Sequence, residues 1–170
     1  MKLLWATQGV TRIVQGKSRK IGLRTAPSAG ALYPLEIYAF VRRVDGIAPG
    51  VYHYIPGDAV NKHSLEMVKE GDHTEQLCGV TLGQDCVKNA SVHFMITTVV
   101  SRVGDKYGER GERYTWIEVG HAAQNLCLEA ESLGCGSVVV GAFYDDKVKA
   151  LIECDEEPAY LICVGKKKPV

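Results

Sequence analysis

RTAPSAGALYPLEIY, residues 24–38, is the stretch of sequence that decides the fold of this chain. It begins as a loop of small residues between Pro27 and Pro34 and continues into an alternating apolar segment. Residues 28–31 (SAGA) have almost no side chain, so a flat ligand or a second backbone could approach closely there. Each proline fixes its own φ and favours extended geometry in the residue before it, which stiffens the loop. Taken by itself, the stretch indicates a helix N-terminus, a tight turn before a strand, or a loop shaped for a ligand.

Composition narrows the class of protein. The 170 residues carry 20 basic and 20 acidic side chains, so there is no basic excess to suggest a nucleic-acid partner. No run approaches the roughly 20 apolar residues that a membrane span requires, and the N-terminus shows no signal-peptide pattern. The six cysteines are scattered without a Cys-x-x-Cys pair, which favours a reduced, cytoplasmic protein.

Hydrophobic periodicity predicts one sheet with helices around it, which is an α+β protein. Strands are predicted at 35–44, 51–54, 63–65, 92–100, 138–140 and 159–164, and helices ending near residue 9 and at 77–81, 84–90, 116–133 and 148–152. The run 92–100 is apolar throughout and rich in β-branched residues, as expected of a central strand buried on both faces. Two polar segments, 11–24 and 102–113, are predicted as loops, the second because it combines three glycines with seven charged residues.

The helix at 116–133 is predicted to be central. Trp116, Val119 and Ala123 follow one helical face, while Ile117 and Leu128 add apolar residues on other faces. A chain of this length has little material to cover such a helix on all sides. The pattern therefore predicts a homodimer formed around it.

The three histidines His53, His63 and His73 recur every ten residues, which invites a metal interpretation. They fall on two predicted strands and a loop, and no carboxylate or cysteine stands beside them at the spacing of a metal site. Coincidence is the simpler explanation of the interval, and no metal site is predicted.

The stretch at 24–38 resembles the flavin-binding loop of the nitroreductase superfamily, and more narrowly the pattern R-x-x-P-S-A-G-A-L-Y-P-L-E of its SagB-type dehydrogenases. Residues 50–54 (GVYHY), residues 106–130 and the strand end at Gly141 resemble the same family, in matching order and spacing. The resemblance implies one nitroreductase-like domain over residues 1–170. It also implies an α+β fold with a central mixed or antiparallel sheet flanked by helices, and a dimer.

In that family the loop lies against the isoalloxazine ring of FMN, and the strand end offers backbone N–H groups to flavin N5. The resemblance therefore implies the cofactor-binding residues Pro27, Ser28, Ala29, Gly30, Leu32, Gly141 and Ala142. Relatives also carry an N-terminal Arg-Arg-Ser-x-Arg motif for the FMN phosphate, which this sequence lacks. Either the domain is N-terminally short, as a natural or truncated form, or other cations hold the phosphate. In the second case we expect Lys166 and Lys167, or else Arg19 and Arg24, to supply the positive charge.

The dipeptide Lys106-Tyr107 is the sharpest catalytic candidate. It resembles a Lys-Tyr pair with an acid/base role in the branch that oxidises peptide azolines to azoles. An ammonium beside a phenol can relay a proton as hydride leaves for the flavin. The alternative is that both residues make surface contacts only.

The function that the resemblance implies is an FMN-dependent oxidoreductase acting by ping-pong hydride transfer. The hydride would pass between NAD(P)H and an unidentified acceptor, or would come from an organic substrate such as an azoline. Either a small molecule or a peptide-derived compound could be that substrate. The alternative is a non-catalytic flavin- or nucleotide-binding protein that kept the fold and lost turnover.

Overall fold

The computed structural model describes residues 1–16, 20–60 and 62–167. The elements follow in the order α1 (Lys2–Gln8), β1 (Val10–Gln15), β2 (Lys20–Arg24), a 3₁₀ turn (Ala29–Ala31), β3 (Leu35–Val41), β4 (Gly50–Ile55), β5 (Ser64–Glu70), α2 (Thr74–Val80), α3 (Asp85–Asn89), β6 (Val92–Thr98), α4 (Ser101–Tyr107), α5 (Arg110–Ser132), β7 (Cys135–Val140), α6 (Asp145–Ile152) and β8 (Glu157–Lys166). The predicted α+β class is confirmed.

The central sheet has six strands in the order β5-β4-β3-β6-β8-β7, and every neighbouring pair is antiparallel. All seven residues of β6 are buried, which confirms the prediction of a central strand covered on both faces. Strand β3 was expected to alternate, yet Tyr38 and Phe40 on its second face are buried as well. They are covered because helices pack on that face too.

Helices lie on both sides of the sheet. The long helix α5, with α1 beside it, covers one face, where Leu126 packs with Ile37 and Phe94 of the sheet. Helices α2, α3 and α6 cover the other face and form a second core there around Met95 and Phe40. The molecule therefore has three layers, and the 27–34 loop lies where α4, α5 and the start of β3 meet.

The predicted loop at 11–24 is wrong for residues 11–15 and 20–24, while residues 17–19 lie outside the described part of the chain. Strands β1 and β2 pair there as an antiparallel hairpin, with Gln15 opposite Lys20 and Val10 opposite Arg24. A register shift between Val10 and Arg12 breaks the alternation of apolar and polar residues. Because that alternation is the main signal of a strand, β1 could not be recognised, and β2 (KIGLR) is only five residues long with a glycine at its centre.

The predicted loop at 102–113 is also wrong, since the segment contains α4 and the first turn of α5. Its three glycines form the corner between the two helices instead of a flexible linker. A Cβ placed on Gly111 would lie 2.8 Å from the backbone nitrogen of Gly104, so only glycine lets the helices approach this closely. Gly108 takes the left-handed φ of 57° at the turn.

The predicted helix at 116–133 lies within α5, and Gly134 follows it with a φ of 70°, as expected of a glycine at a helix C-terminus. Its outer face includes Ile117, 50% exposed, and Leu128, 60% exposed. These two residues are 11 positions apart and so share one side of the helix, opposite the buried stripe. Strand β5 is longer than the predicted 63–65.

In the part of the chain that the structure describes, no helix combines the length and apolar character needed to cross a bilayer. The cytoplasmic location stays a prediction.

Candidate functional site

The 27–34 loop has an unusual backbone. Gly30, Ala31 and Tyr33 all have positive φ values, of 64°, 53° and 49°. Glycine adopts this region readily, but alanine and tyrosine do so rarely, and such strain persists only where the surroundings hold it. Pro27 and Gly30 are exposed at the top of the loop, whereas Tyr33 at its base is buried.

A buried polar network holds the loop from below. The hydroxyl of Ser28 accepts a hydrogen bond from the Tyr33 N–H at 2.9 Å, and the phenol oxygen of Tyr33 accepts one from the Arg24 N–H at 2.9 Å. The Arg24 guanidinium donates to the side-chain oxygen of Gln8 at 3.0 Å. Gln8 in turn donates to Glu118 of α5 at 3.4 Å. We call this set the lower network, and it ties α1, β2 and α5 to the loop.

Glu118 is the acid of that network and is buried, with 2% of its surface exposed. Burial raises the pKa of this carboxyl, while hydrogen bonds with Ser28 and Gln8 and the charge of Arg24 oppose the rise. Sequence reasoning did not single out Glu118. Its position four residues before the buried Ala122 on α5 is a signal that could have found it.

A second network holds the loop from the side of α4. Arg102 donates to the backbone oxygen of Tyr33 at 3.1 Å and forms a salt bridge with Glu36. Glu36 also contacts Nε2 of His53 on the neighbouring strand at 2.9 Å. Burial opposes ionisation of Glu36, but hydrogen bonds from His53 and Arg102 outweigh it and lower the pKa of the carboxyl. We call these residues the side network.

His53 therefore has an acidic partner, Glu36, which lies beside it because β3 pairs with β4. The two residues are far apart in sequence, so spacing did not reveal the contact. His63 contacts the Tyr54 hydroxyl and His73 a backbone oxygen. Among the residues with described positions, no group of three His, Cys, Asp or Glu side chains could hold a metal ion.

The predicted catalytic pair lies against the loop. A Cβ placed on Gly30 would lie 2.9 Å from both Lys106 Nζ and Tyr107 Oη. Lys106 is exposed, and the half-buried ring of Tyr107 packs edge-on against Tyr114 of α5 at 5.2 Å. The α4–α5 corner thus brings an ammonium and a phenol to the exposed top of the loop.

The predicted strand-end residues lie further away within one protomer. Gly141 and Ala142 are exposed just after β7, and Gly141 faces the ring of Tyr160. Strand β7 is three strand spacings from β3, which is about 14 Å. These two residues do not contact the 27–34 loop in one protomer, and their role stays a prediction.

The predicted phosphate ligands lie at the opposite end of the sheet from the loop. Strand β8 runs ten residues from Glu157, near the loop end, to Lys166, a length of about 30 Å. Lys167 forms a salt bridge with Glu131 near the end of α5. Within one protomer, Lys166 and Lys167 are therefore too far away to serve a ligand seated on the loop. Of the two alternative candidates from the sequence, Arg19 lies outside the described residues, and Arg24 lies in the lower network below the loop.

Comparisons with known proteins can be set beside this geometry. The model of the nitroreductase family matches residues 1–166. MJ1384 of Methanocaldococcus jannaschii, which is named as a nitroreductase, is 41% identical over 165 residues, covering 97% of this chain and 78% of that protein. The microcin B17-processing protein McbC of Escherichia coli is 29% identical over 139 residues, covering 78% of this chain and 49% of McbC.

A crystal structure named as a nitroreductase from Anabaena variabilis superimposes with a TM-score of 0.88 at 27% sequence identity. The match covers 96% of this chain and 33% of that one, so the chain spans only part of the Anabaena protein, as it spans about half of McbC. The family model matches nearly the whole chain, and the fold is shared with the Anabaena structure. The chain belongs to the nitroreductase family of oxidoreductases.

Proposed function

We propose that this protein is an FMN-dependent oxidoreductase whose flavin ring lies on the 27–34 loop. The observation that carries the proposal is the contact of Lys106 and Tyr107 with Gly30. Two side chains able to exchange protons thus meet a loop of small residues whose backbone is strained. Strain and perturbed geometry of this kind concentrate at functional sites.

The residues present fit a flat, polar-edged ring. Between Pro27 and Ala31 the largest side chain besides proline is the hydroxymethyl group of Ser28, so a planar ligand can approach the backbone. The hydroxyl of Ser28 is already engaged with Tyr33 and Glu118, so it supports the loop from below. We therefore assign the cofactor contacts to the exposed backbone of the loop, with Leu32 beside it, and a supporting role to the Ser28 hydroxyl.

FMN, when bound, supplies the hydride transfer itself. The protein's part is to place the substrate and to handle the proton that accompanies the hydride. Lys106 Nζ and Tyr107 Oη both stand at Gly30, so one can hold a proton at the substrate while the other exchanges it with solvent. The ring of Tyr107 packs on Tyr114, and the ammonium of the exposed Lys106 lies over the Tyr107 ring at 5.3 Å from its centroid.

A dimer would complete the site. The exposed Ile117 and Leu128 on the outer face of α5 offer an apolar surface to a second copy of the chain. Gly141, Ala142, Lys166 and Lys167 do not reach the loop of their own protomer, so any part they take in flavin binding would be in the site of the partner subunit. On this proposal the predicted cofactor residues belong to two protomers.

The substrate is proposed by class only. McbC is named as a protein that processes microcin B17, which favours a peptide-derived substrate such as an azoline. The name of MJ1384 favours a nitro compound reduced at the expense of NAD(P)H. Both reactions need the same flavin site and the same proton-transfer pair.

The test is reconstitution of the purified protein with FMN, followed by titration with NADPH and NADH. We expect a flavin absorbance spectrum that bleaches on reduction and a sedimenting species of twice the chain mass. Lys106→Gln and Tyr107→Phe should retain FMN within about threefold and lower kcat by about a hundredfold, the usual size of an acid/base contribution. Lys88→Gln on the far helix α3 is the matched control and should behave as wild type.

Three results would count against the proposal. Protein that binds no FMN would be a non-flavin relative. Protein that binds FMN but is not reduced by either nicotinamide, and turns over no azoline or nitro compound, would be a flavin-binding protein without catalysis. Equal kcat values in Lys106→Gln and Lys88→Gln would show that the Lys-Tyr pair makes surface contacts only.

A further inference from the structure

A cavity of about 610 Å³ lies between the β1–β2 hairpin and the 27–34 loop. Ile13 and Ile21 of the hairpin and Leu32 of the loop contribute apolar wall. Three basic residues, Lys20, Arg24 and Arg102, line the same space. The cavity thus joins the top of the loop to a concentration of positive charge.

Arg24 carries its charge into this cavity without a carboxylate in direct contact. Its guanidinium lies over the ring of Tyr33 at 4.4 Å and donates to the neutral amide of Gln8. Among the described residues, no carboxylate comes within 4.0 Å of it, and Glu118 is reached only through Gln8. Burial lowers the pKa of Arg24, and the charges of Glu36 and Glu118, which are not in contact with it, offset only part of that effect.

The other charged groups of the cavity differ from Arg24. Arg102 is neutralised by Glu36 in the side network. Lys20 on β2 has no salt bridge within the described part of the chain. Asp58, the acid on the rim, is exposed and lies beyond salt-bridge distance of the three basic residues. A partly buried guanidinium with no carboxylate in contact gains from a ligand that supplies the opposite charge.

We propose that this cavity is an anion-binding site in which Arg24 and Lys20 hold a phosphate or carboxylate group. Arg24 offers a planar set of donors already oriented by Tyr33 and Gln8, and Lys20 adds a mobile charge. Two ligands have the required chemistry and could reach it from the loop: the phosphate of the flavin, and the carboxylate of an acidic substrate. The choice between them rests on the proposed function, whereas the anion site itself does not.

The variants that test the site are Arg24→Gln and Lys20→Gln. Arg12→Gln is the matched control, since Arg12 is exposed on β1 of the same hairpin and does not line the cavity. Lys20→Gln keeps the test valid if loss of the Arg24 contact with Gln8 impairs folding.

The flavin arm compares the dissociation constants of FMN and riboflavin, which differ in the phosphate alone. If the phosphate is the ligand, Arg24→Gln should weaken FMN about ten- to a hundredfold and leave riboflavin within twofold. The substrate arm compares 4-nitrobenzoate with 4-nitrobenzyl alcohol. If the substrate carboxylate is the ligand, the same variant should raise KM for nitrobenzoate by a similar factor, with kcat and the neutral alcohol unchanged.

A third arm needs neither flavin nor turnover. Inorganic phosphate at about ten times its dissociation constant, at constant ionic strength, should raise the thermal midpoint of wild type and of Arg12→Gln by about 3–5 °C. The rise should be lost in both cavity variants. If it occurs in a protein that binds no flavin, the anion site stands and the proposed function falls. If both cavity variants match Arg12→Gln in all three arms, the anion site is overturned.

Discussion

The lower and side networks support the same loop, but they do so in different environments. In the lower network the charges of Arg24 and Glu118 are separated by the amide of Gln8, and the acid is almost fully buried. In the side network Glu36 and Arg102 touch directly, and the Arg102 side chain is 41% exposed. The comparison teaches that one loop can be held by two kinds of charge contact. The lower network holds its backbone through hydrogen bonds that separate the two charges, and the side network holds it through a partly exposed ion pair.

Gly30 lies at the exposed top of the loop beside Lys106 and Tyr107, and Gly30→Val should have the largest effect on activity. The substitution strains a φ of 64° and displaces the ends of Lys106 and Tyr107. Gly46→Val is the matched control, because Gly46 has a φ of 78° and open space around it. Both variants should lose about 1–2 kcal/mol of unfolding free energy from backbone strain. Gly30→Val alone should lower kcat/KM, by about a hundredfold, since small displacements of catalytic groups have effects of that size.

Steady-state kinetics and urea denaturation on the same samples separate the two effects. Equal losses of kcat/KM in the two glycine variants would mean that the contact at Gly30 has no part in the reaction.

The same substitution in each network should have unlike effects on stability. Glu36→Gln removes the anion that Arg102 and His53 share, and should cost about 1 kcal/mol of unfolding free energy at pH 7, after allowance for the exposure of Arg102. Glu118→Gln removes a charge that burial disfavours, and should cost less than about 0.5 kcal/mol or stabilise the protein.

Urea denaturation of the two variants beside wild type measures the difference. A larger loss in Glu118→Gln than in Glu36→Gln would show that the lower network depends on its negative charge.

The pH dependence of the unfolding free energy should show the smallest effect. Folding shifts the pKa values of Glu36 and Glu118 in opposite directions. The pKa of Glu36 is lowered on folding, so its stabilisation is present above the unfolded value of about 4.3 and is lost as pH falls through the folded value. The pKa of Glu118 is raised, so the unfolded chain ionises first. Wild type therefore loses stability relative to Glu118→Gln as pH rises from about 4.3 through the raised pKa.

Unfolding free energies of wild type and both variants between about pH 3.5 and 7.5 give the two difference curves. If the difference in unfolding free energy from wild type changes with pH in the same way for both variants, the contrast between the networks is wrong.

Much of the site could be predicted from local patterns. The run of small residues at 28–31, the buried strand at 92–100 and the long helix at 116–133 depend on residue size and apolar spacing within one segment. Lys106 and Tyr107 were predicted through their resemblance to a known pair, even though the segment around them was taken for a loop. Their role in the reaction stays a prediction. Their helical structure could not be predicted locally, because the corner at Gly104 and Gly111 exists only when two helices pack.

The sequence by itself determined the class of fold, the loop of small residues at 28–31 and the family, since these depend on patterns carried by consecutive residues. Tertiary structure alone decided which charges meet. Glu36 and His53 are 17 positions apart, and Gln8 and Glu118 are 110 apart. No spacing rule joins residues so distant, because strand register and helix packing set those contacts. The same reason explains why Lys166 and Lys167, plausible phosphate ligands by charge, lie at the far end of the sheet, while Arg24 faces a cavity beside the loop.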